Sequence, residues 1–402
     1  MKIGIVDAEI IGKKKHRFPN LVCMKLSSYY KQLGNEVDLI LDYEKINEYD
    51  KVFISKVFIK TDIPNERTDI NKTEINCIEF YKNNDILNLP NVEYGGTGFY
   101  YDKAPNLPYE IEHIIPDYSL YDSWVQNCID NGAKEKEFKY YKDYSIGFLT
   151  RGCFRQCEFC VNKHYKKCES HSQLNEFYDE NRKKICFLDD NFFACSDWKN
   201  IIQEVKKTNK KFQFKQGLDE RLLDEEKIKE LILWRYDGDY IFAFDNIEDK
   251  DVIINKLDIL RQYIPYKKQN IKFYVFCGFD RKNKYDEVFF KNDIYSLFER
   301  INILKKYNCK PYIMRHENYN ISPFRGTYIN LSAYCNQPNI FFKMTYKEFC
   351  LADDNRRGGN KKSSTWRYME DFEKDCPNVS HKYYDIIADS LLEYGNGKKV
   401  QV

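Results

Sequence analysis

Six short apolar segments recur along the middle of the chain at intervals of about 27 to 40 residues, and helical patterns lie between most of them. They read YSIGFLT, KICFLD, KFQFK, DYIFAF, IKFYVFC and KPYIMR. Because consecutive parallel strands are usually connected through a helix, this spacing favours a parallel sheet. The six units predict an α/β fold with a partial (β/α)6 TIM-like barrel over residues 144–325, whose chemistry lies at the carboxyl ends of the strands.

A smaller α/β pattern precedes these repeats. KIGIV is a short apolar strand, a helical pattern runs from Phe18 to Gly34, EVDLIL and KVFISKVF are strand-like, and NVEYGGTGFYY adds a strand that runs into a glycine turn. The alternation predicts a Rossmann-like unit over residues 1–115, joined by a proline-containing, polar connection at 116–143. After residue 325 the rhythm stops. We expect residues 326–402, with the basic loop NRRGGNKKSST and a last helix over KYYDIIADSLLEYG, to cap the barrel.

The chain has 14 cysteines among its 402 residues. Its first residues, MKIGIVDAEI, do not resemble a secretory signal, and no apolar stretch reaches the ~18 residues of a membrane span. We therefore expect a cytoplasmic protein with no membrane partner, in which clustered thiols are more often metal ligands or catalytic groups than disulfides. With 64 basic and 62 acidic residues, no global field attracts the chain to nucleic acid.

Three of the cysteines are clustered directly after the first barrel strand. The segment TRGCFRQCEFCVNK spaces Cys153, Cys157 and Cys160 as C-x3-C-x2-C. A loop this short can wrap three thiolates around one cubane iron–sulfur cluster. Three protein ligands leave one iron of a 4Fe-4S cluster open, and that iron can take the amino and carboxylate groups of S-adenosyl-L-methionine (SAM). The spacing therefore predicts a cluster that binds an external ligand.

The loop resembles that of the radical SAM superfamily, including the aromatic residue Phe159 directly before the third cysteine. The resemblance implies an oxidoreductase or transferase that reductively cleaves SAM to a 5′-deoxyadenosyl radical, which abstracts hydrogen from a substrate that the sequence does not identify. It also implies an electron donor such as flavodoxin or ferredoxin. The closest similarity is to the branch whose N-terminal domain resembles a cobalamin-binding domain, which is degenerate in this chain.

The same resemblance suggests where SAM is contacted. In that branch the second strand ends in acidic residues near the SAM amino group, and polar or glycine residues follow the later strands. The corresponding candidates here are Asp189, Asp190, Asn191, Gln216, Asp219, Arg221, Asp245 and Gly278. A carboxylate suits an ammonium group because it accepts charge-assisted hydrogen bonds. The alternatives are a solvated strand end at 189–191, a structural ion pair between Asp219 and Arg221, and a plain turn at Gly278.

Further alternatives remain open at this point. Arg315 and His316 either reach the substrate or close the barrel. The chain lacks the D-x-H-x-x-G sequence that donates a histidine to cobalt, which weighs against bound cobalamin, although a cobalamin-dependent radical SAM methyltransferase stays an alternative. The set Cys157, Cys160, His164 and Cys168 would suit a structural zinc ion in a nucleic-acid-binding module.

Overall fold

A computed structural model describes residues 1–64, 84–162, 165–232, 234–356 and 364–388. The chain divides into two compact units, Met1–Phe212 and Gln213–Val402. Both units combine helices with parallel strands, which confirms the predicted α/β class. The partial barrel, the Rossmann-like assignment and the predicted domain limits stay predictions.

The first unit contains nine strands, the last of which crosses into the second unit, and six helices among its described residues. The strands are β1 (Lys2–Asp7), β2 (Glu36–Leu39), β3 (Lys51–Ser55), β4 (Val92–Gly95), β5 (Tyr144–Gly147), β6 (Thr150–Arg151), β7 (Glu169–Ser170), β8 (Lys184–Phe187) and β9 (Lys211–Phe214). The helices are α1 (Leu21–Gln32), α2 (Thr97–Tyr100), α3 (Tyr109–Glu112), α4 (Asp122–Asp130), α5 (Lys139–Lys142) and α6 (Trp198–Lys207).

The N-terminal sheet is fully parallel, with the strand order β2-β1-β3-β4. Helix α1 begins after Asn20, whose side chain accepts hydrogen bonds from the backbone of Val22 and Cys23 and so caps two orphan N–H groups. The helix ends at Gln32, and Gly34 follows with φ +78°, as the sequence predicted. Burial of α1 against this sheet gives the unit its first apolar core.

The segment predicted as a connection, 116–143, contributes large side chains to that same core. Trp124 and Val125 of α4, together with Phe138 and Tyr141, are each at most 4% exposed. Strand β5 follows directly and pairs in parallel with β8. The chain thus enters the β5 strand from a packed segment, so the residues after β5 start from a fixed position.

The second unit is built around a parallel sheet of β10 (Tyr240–Ala243), β11 (Ile271–Cys277) and β12 (Lys310–Arg315), in that order. Its helices are α7 (Glu225–Ile232), α8 (Lys250–Tyr263), α9 (Glu287–Lys306), α10 (Arg325–Cys335), α11 (Pro338–Phe341), α12 (Tyr346–Arg356) and α13 (Ser364–Asp375). Phe298 of α9 packs its ring against Tyr346, Phe372 and Tyr384, so the residues after 325 cover α9.

Two predicted helices differ from the structure. Between IKFYVFC and KPYIMR the sequence predicts a helix over NDIYSLFERINILKKY. In the structure this helix, α9, begins five residues earlier, at Glu287, because the Asp286 side chain accepts a hydrogen bond from Phe289 N–H and caps it there. The last predicted helix is reduced to one π-helical turn, Ser380–Tyr384, followed by non-helical residues to 388, and its remaining part lies outside the described residues. Within the described part of the chain, no helix is long and apolar enough to cross a membrane.

Candidate cofactor site on the cysteine loop

The cysteine loop connects two very short strands that pair with each other. β6 and β7 are antiparallel, with Thr150 opposite Ser170 and Arg151 opposite Glu169, and so the two ends of the loop lie side by side. Gly152 makes the first turn with φ +97°, and a Cβ at this position would lie 2.0 Å from the carbonyl oxygen of Lys167. Only glycine fits such a turn. This two-stranded clip fixes where the loop begins and ends.

Backbone and amide N–H groups point at two of the three thiols. Arg155 N–H lies 3.4 Å from the Cys153 Sγ, and Asn162 N–H lies 3.4 Å from the Cys160 Sγ. All three thiols of the loop are half-buried. Donors aimed at sulfur stabilise thiolate charge, and hydrogen bonds to the sulfurs are part of how proteins tune iron–sulfur clusters. The donor set therefore fits a thiolate-bound cluster.

The arrangement stops short of an assembled ligand cage. Among the residues that the structure describes, no group of three or more His, Cys, Asp or Glu side chains is placed to hold one metal ion. The convergence of Cys153, Cys157 and Cys160 on one cluster stays a prediction.

Asp189 and Asp190, predicted to face SAM, are bonded to the start of the cysteine loop. Asp189 is fully buried and accepts hydrogen bonds from Leu149 N–H (3.2 Å), Thr150 N–H (2.6 Å) and the Thr150 hydroxyl (2.7 Å). Asp190 accepts from Gly152 N–H at 2.8 Å. Burial raises the pKa of Asp189 to about 7. In this structure both carboxylates position the loop, and a direct contact with SAM stays a prediction.

Asn191, the third candidate at this strand end, lies against Cys153. Its Nδ2 is 3.3 Å from the Cys153 Sγ, while its backbone carbonyl accepts a hydrogen bond from the Cys168 thiol at 3.1 Å. The side chain is 2% exposed, and its Oδ1 has no hydrogen-bond partner among the described residues. An unpaired buried acceptor is costly, so this oxygen is available to a donor on a bound ligand.

The candidates Asp219 and Arg221 form the structural ion pair that the sequence left open. Arg221 Nε lies 2.7 Å from Asp219, and its Nη1 lies 2.9 Å from Asp249, which no sequence signal singled out. Gln216 is exposed, directly before Gly217 with φ +106°. The ion pair accounts for both charged residues, and their contact with SAM stays a prediction.

Sequence reasoning missed Glu220, which lies between the two members of this ion pair. It is 2% exposed, and its Oε2 accepts one hydrogen bond, from Ala243 N–H at 3.3 Å. Burial, followed by the charge of Asp219, raises its pKa to about 8. Because Asp219, Glu220 and Arg221 are consecutive charged residues, the sequence does not indicate that Glu220 is buried without an ion-pair partner among the described residues.

Asp245 belongs to a second buried network, around Arg300. Arg300 Nη1 donates to the carbonyl oxygens of Phe244, Asp245 and Phe276 at 2.9 to 3.0 Å. The Asp245 carboxylate accepts from Phe276 N–H at 3.0 Å. Arg300 is 1% exposed, so this network ties the ends of β10 and β11 together.

Gly278 is held at the end of β11 by a carboxylate. Its N–H donates to Asp293 at 2.7 Å, and Asp293 accepts in turn from the Tyr328 hydroxyl at 2.6 Å. Gly278 has φ +78°, and a Cβ there would lie 3.2 Å from Tyr319. The plain turn that was the alternative at Gly278 is present, and the predicted approach to adenine stays a prediction.

The remaining candidates lie near aromatic rings. Phe159 is half-buried, and its carbonyl oxygen accepts from the Tyr101 hydroxyl at 3.4 Å. The guanidinium of Arg315 lies 4.3 Å from the Tyr319 ring centre, and the His316 ring packs edge-on against Phe279. Neither arrangement decides between substrate contact and closure of the barrel.

The alternative zinc set is only partly described. His164 lies outside the described residues, so its place relative to Cys157 and Cys160 is not stated. The Cys168 thiol donates to Asn191, and burial raises its pKa to about 12, so it is protonated in this setting. A thiol that donates a hydrogen bond serves to position Asn191.

The carboxyl edge of the N-terminal sheet, where a cobalamin-like ligand would lie, is filled by side chains of the chain itself. The Asp7 carboxylate accepts from the Tyr121 hydroxyl at 2.8 Å, and Asn20 donates to Ser55 at 2.9 Å, all of them buried. In the GGTG turn, a Cβ at Gly96 would lie 2.2 Å from the Lys56 carbonyl oxygen. The described residues of this edge therefore do not fit a corrin.

No protein-family model matches the chain, and no curated protein matches its sequence. Its structural neighbours are cobalamin-dependent radical SAM enzymes, at low sequence identity. One is the enzyme OxsB with aqua-cobalamin and S-adenosylmethionine bound, at 13% identity and a TM-score of 0.47 over 94% of this chain and 61% of that one. Another is apo, selenomethionine-labelled OxsB, at 13% identity and a TM-score of 0.32 over 78% of this chain and 49% of that one. The chain thus spans less than two thirds of the OxsB length.

Proposed function

We propose that the chain is a radical SAM enzyme in which Cys153, Cys157 and Cys160 bind a 4Fe-4S cluster. The observation that supports this most is the pair of N–H···S contacts at Cys153 and Cys160, on a loop closed at its base by β6 and β7. A zinc or structural role for the loop would leave the buried, unpaired Oδ1 of Asn191 unexplained.

Bound at this loop, the cluster would supply one electron for the reductive cleavage of SAM, and that chemistry belongs to the cofactor. The chain's own residues orient the site. Arg155 N–H and Asn162 N–H offset negative charge on the sulfurs, and Asn191 Nδ2 adds a third donor. Asp189 and Asp190 hold the first residues of the loop against the end of β8.

Asn191 would serve both the cluster and its ligand. Its Nδ2 faces the Cys153 sulfur, so its Oδ1 faces elsewhere and lacks a donor among the described residues. The ammonium group of SAM is such a donor, and charge-assisted hydrogen bonds of this kind are stronger than neutral ones. We therefore place the SAM amino group at Asn191 in preference to Asp189, whose oxygen atoms are already bonded to the loop.

The proposal is tested by anaerobic reconstitution with iron and sulfide, followed by dithionite and SAM. We expect about four iron atoms per chain and formation of 5′-deoxyadenosine. A fully reconstituted protein that leaves SAM intact under these conditions would refute the assignment. One zinc per chain, with no iron bound, would support the zinc alternative.

Two sets of variants separate ligand from positioning roles. Replacing Cys153, Cys157 or Cys160 by Ala should abolish cluster binding and 5′-deoxyadenosine formation together. Cys168→Ser keeps a donor toward the Asn191 carbonyl and should keep the cluster, because Cys168 is a thiol that donates a hydrogen bond. Loss of iron in Cys168→Ser would make Cys168 a ligand and contradict its positioning role.

A further inference from the structure

One face of the β10–β11–β12 sheet is open. Along β11, Ile271, Phe273 and Val275 are fully buried, whereas the alternate residues Lys272 and Tyr274 are half-buried. On β12, Tyr312 is 40% exposed and Met314 is 42% exposed. Parallel sheets are usually covered on both faces. The open face therefore calls for an explanation.

Strand register places like residues side by side on this face. Lys272 is opposite Lys310, and Tyr274 is opposite Tyr312. We call these four residues the lysine–tyrosine face. The Lys272 Nζ lies 4.3 Å from the Tyr312 ring centre and 5.1 Å from the Tyr274 ring centre. The two rings are 5.8 Å apart at an angle of 71°. One ammonium group is thus placed above two rings.

The face carries more positive charge than its neighbours compensate. Lys310 pairs with Asp239 at 2.8 Å, but no carboxylate among the described residues lies within ion-pair distance of Lys272. Burial, followed by the charge of nearby Lys215, lowers the pKa of Lys272. Like charges opposite each other on neighbouring strands are destabilising. Asp239 offsets part of this charge at Lys272, but it is already paired with Lys310.

A purely structural role would not need this arrangement. An apolar side chain at 272 would cover the two tyrosine rings without placing one lysine opposite another. A half-buried ammonium without a carboxylate partner gains most from an anion that enters from solvent, because charge-assisted bonds strengthen as water is excluded. An exposed tyrosine ring beside it offers a flat surface to a second ring.

We propose that the lysine–tyrosine face binds a small organic anion that carries a planar ring, with the anionic group at Lys272 and Lys310 and the ring against Tyr312. The binding does not rest on the proposed function. Gly217 borders the same site, since a Cβ at this position would lie 3.7 Å from Cδ2 of Tyr274.

The binding is tested on the full chain as purified, without cluster reconstitution. Phenyl phosphate, inorganic phosphate and phenol are titrated separately by calorimetry. We expect phenyl phosphate to bind at least tenfold more tightly than either fragment, because only it engages both lysines and ring. Equal affinity for inorganic phosphate and phenyl phosphate would overturn the ring contact, and no binding of phenyl phosphate would overturn the site.

Matched variants locate the ligand. Lys272→Gln and Tyr312→Ala should each weaken phenyl phosphate binding at least tenfold, whereas Lys272→Arg and Tyr312→Phe should retain it. The exposed Lys282→Gln in the same unit is the charge control and should bind as the parent protein does. Unchanged binding in Lys272→Gln would refute the proposal. If Lys272→Gln does not fold, Lys310→Gln takes its place. A tenfold loss of affinity for phenyl phosphate in Lys310→Gln would support the proposed site, and unchanged affinity would refute it.

The two proposals fail separately. Phenyl phosphate binding without formation of 5′-deoxyadenosine in the reconstituted protein would support the anion site and refute the radical SAM function. Formation of 5′-deoxyadenosine without phenyl phosphate binding would support the radical SAM function and refute the anion site on the lysine–tyrosine face.

Discussion

Replacing Glu220 by Gln tests how burial sets the charge state of a carboxyl in the second unit. Glu220 is 2% exposed, and one N–H donor, at 3.3 Å, is bonded to its carboxyl. Its pKa is raised from 4.5 to about 8, mainly by burial. Because the folded pKa lies above the unfolded one, the folded state holds a proton that the unfolded state releases. Stability from this group is therefore present below about pH 4.5 and is lost as pH rises to about 8.

The size of the effect follows from the shift. A change of about 3.5 pKa units corresponds to roughly 5 kcal/mol at ~1.36 kcal/mol per unit, which is an upper limit because buried sites relax and admit water. Glutamine resembles the neutral acid and does not titrate. We expect the free energy of unfolding of Glu220→Gln, relative to the parent protein, to rise by roughly 2 to 5 kcal/mol between pH 5 and pH 9.

The assay is urea unfolding at several pH values, with the slope m compared at each. Subtracting the parent from the variant at each pH removes the contribution of the other titrating groups. The exposed Glu248→Gln is the control for replacing an acid by its amide at the surface, and it should change the free energy of unfolding by less than about 0.5 kcal/mol. A pH-independent difference for Glu220→Gln would refute the reasoning, since it would mean that the buried carboxyl is ionised throughout.

Three further outcomes follow from the contacts described above. Gly152→Ala should lower iron bound per chain after reconstitution, because its Cβ would lie 2.0 Å from the Lys167 carbonyl oxygen; iron content equal to the parent would contradict this. Asn191→Ala should make the reduction potential of the proposed cluster more negative, because it removes a hydrogen-bond donor to the Cys153 sulfur. A potentiometric titration with an unchanged midpoint would exclude that donor role. Arg300→Met should lower the free energy of unfolding by roughly 3 to 5 kcal/mol in urea, because it leaves the buried carbonyl oxygens of Phe244, Asp245 and Phe276 without their donor; a loss below about 1 kcal/mol would contradict this.

The sequence predicted elements better than contacts. Each segment from KIGIV to KPYIMR that was expected to form a strand contains one, because short apolar runs bounded by polar turns leave few alternatives. Some strands are shorter than their segments: β3 ends at Ser55 within KVFISKVF, and Thr97–Tyr100 after β4 form the helix α2. The start of α9 was missed because EVFF lacks helical periodicity, and the deciding cap at Asp286 gives no periodic signal. The two-residue strands β6 and β7 are too short for any pattern to indicate.

In the candidate site too, local features could be predicted from the sequence and long-range contacts could not. The cysteine spacing and the acidic end of β8 could be read from the chain, since both are local. The partners of Asp189 and Asp190 could not, because a hydrogen bond to Thr150 or Gly152 joins residues almost 40 positions apart. Asp219 and Glu220 are adjacent, yet one forms an ion pair and the other is a buried acid. The difference between their environments comes from tertiary packing, which the local sequence does not show.

The antiparallel clip between β6 and β7 has a consequence for how the proposed cluster would be lost and regained. Since backbone pairing and the Asp190 contact at Gly152 already hold the ends of the loop, we expect the loop to keep its place when no cluster is bound. Removal of iron would then leave the two ends of the loop side by side, in position to bind a cluster again.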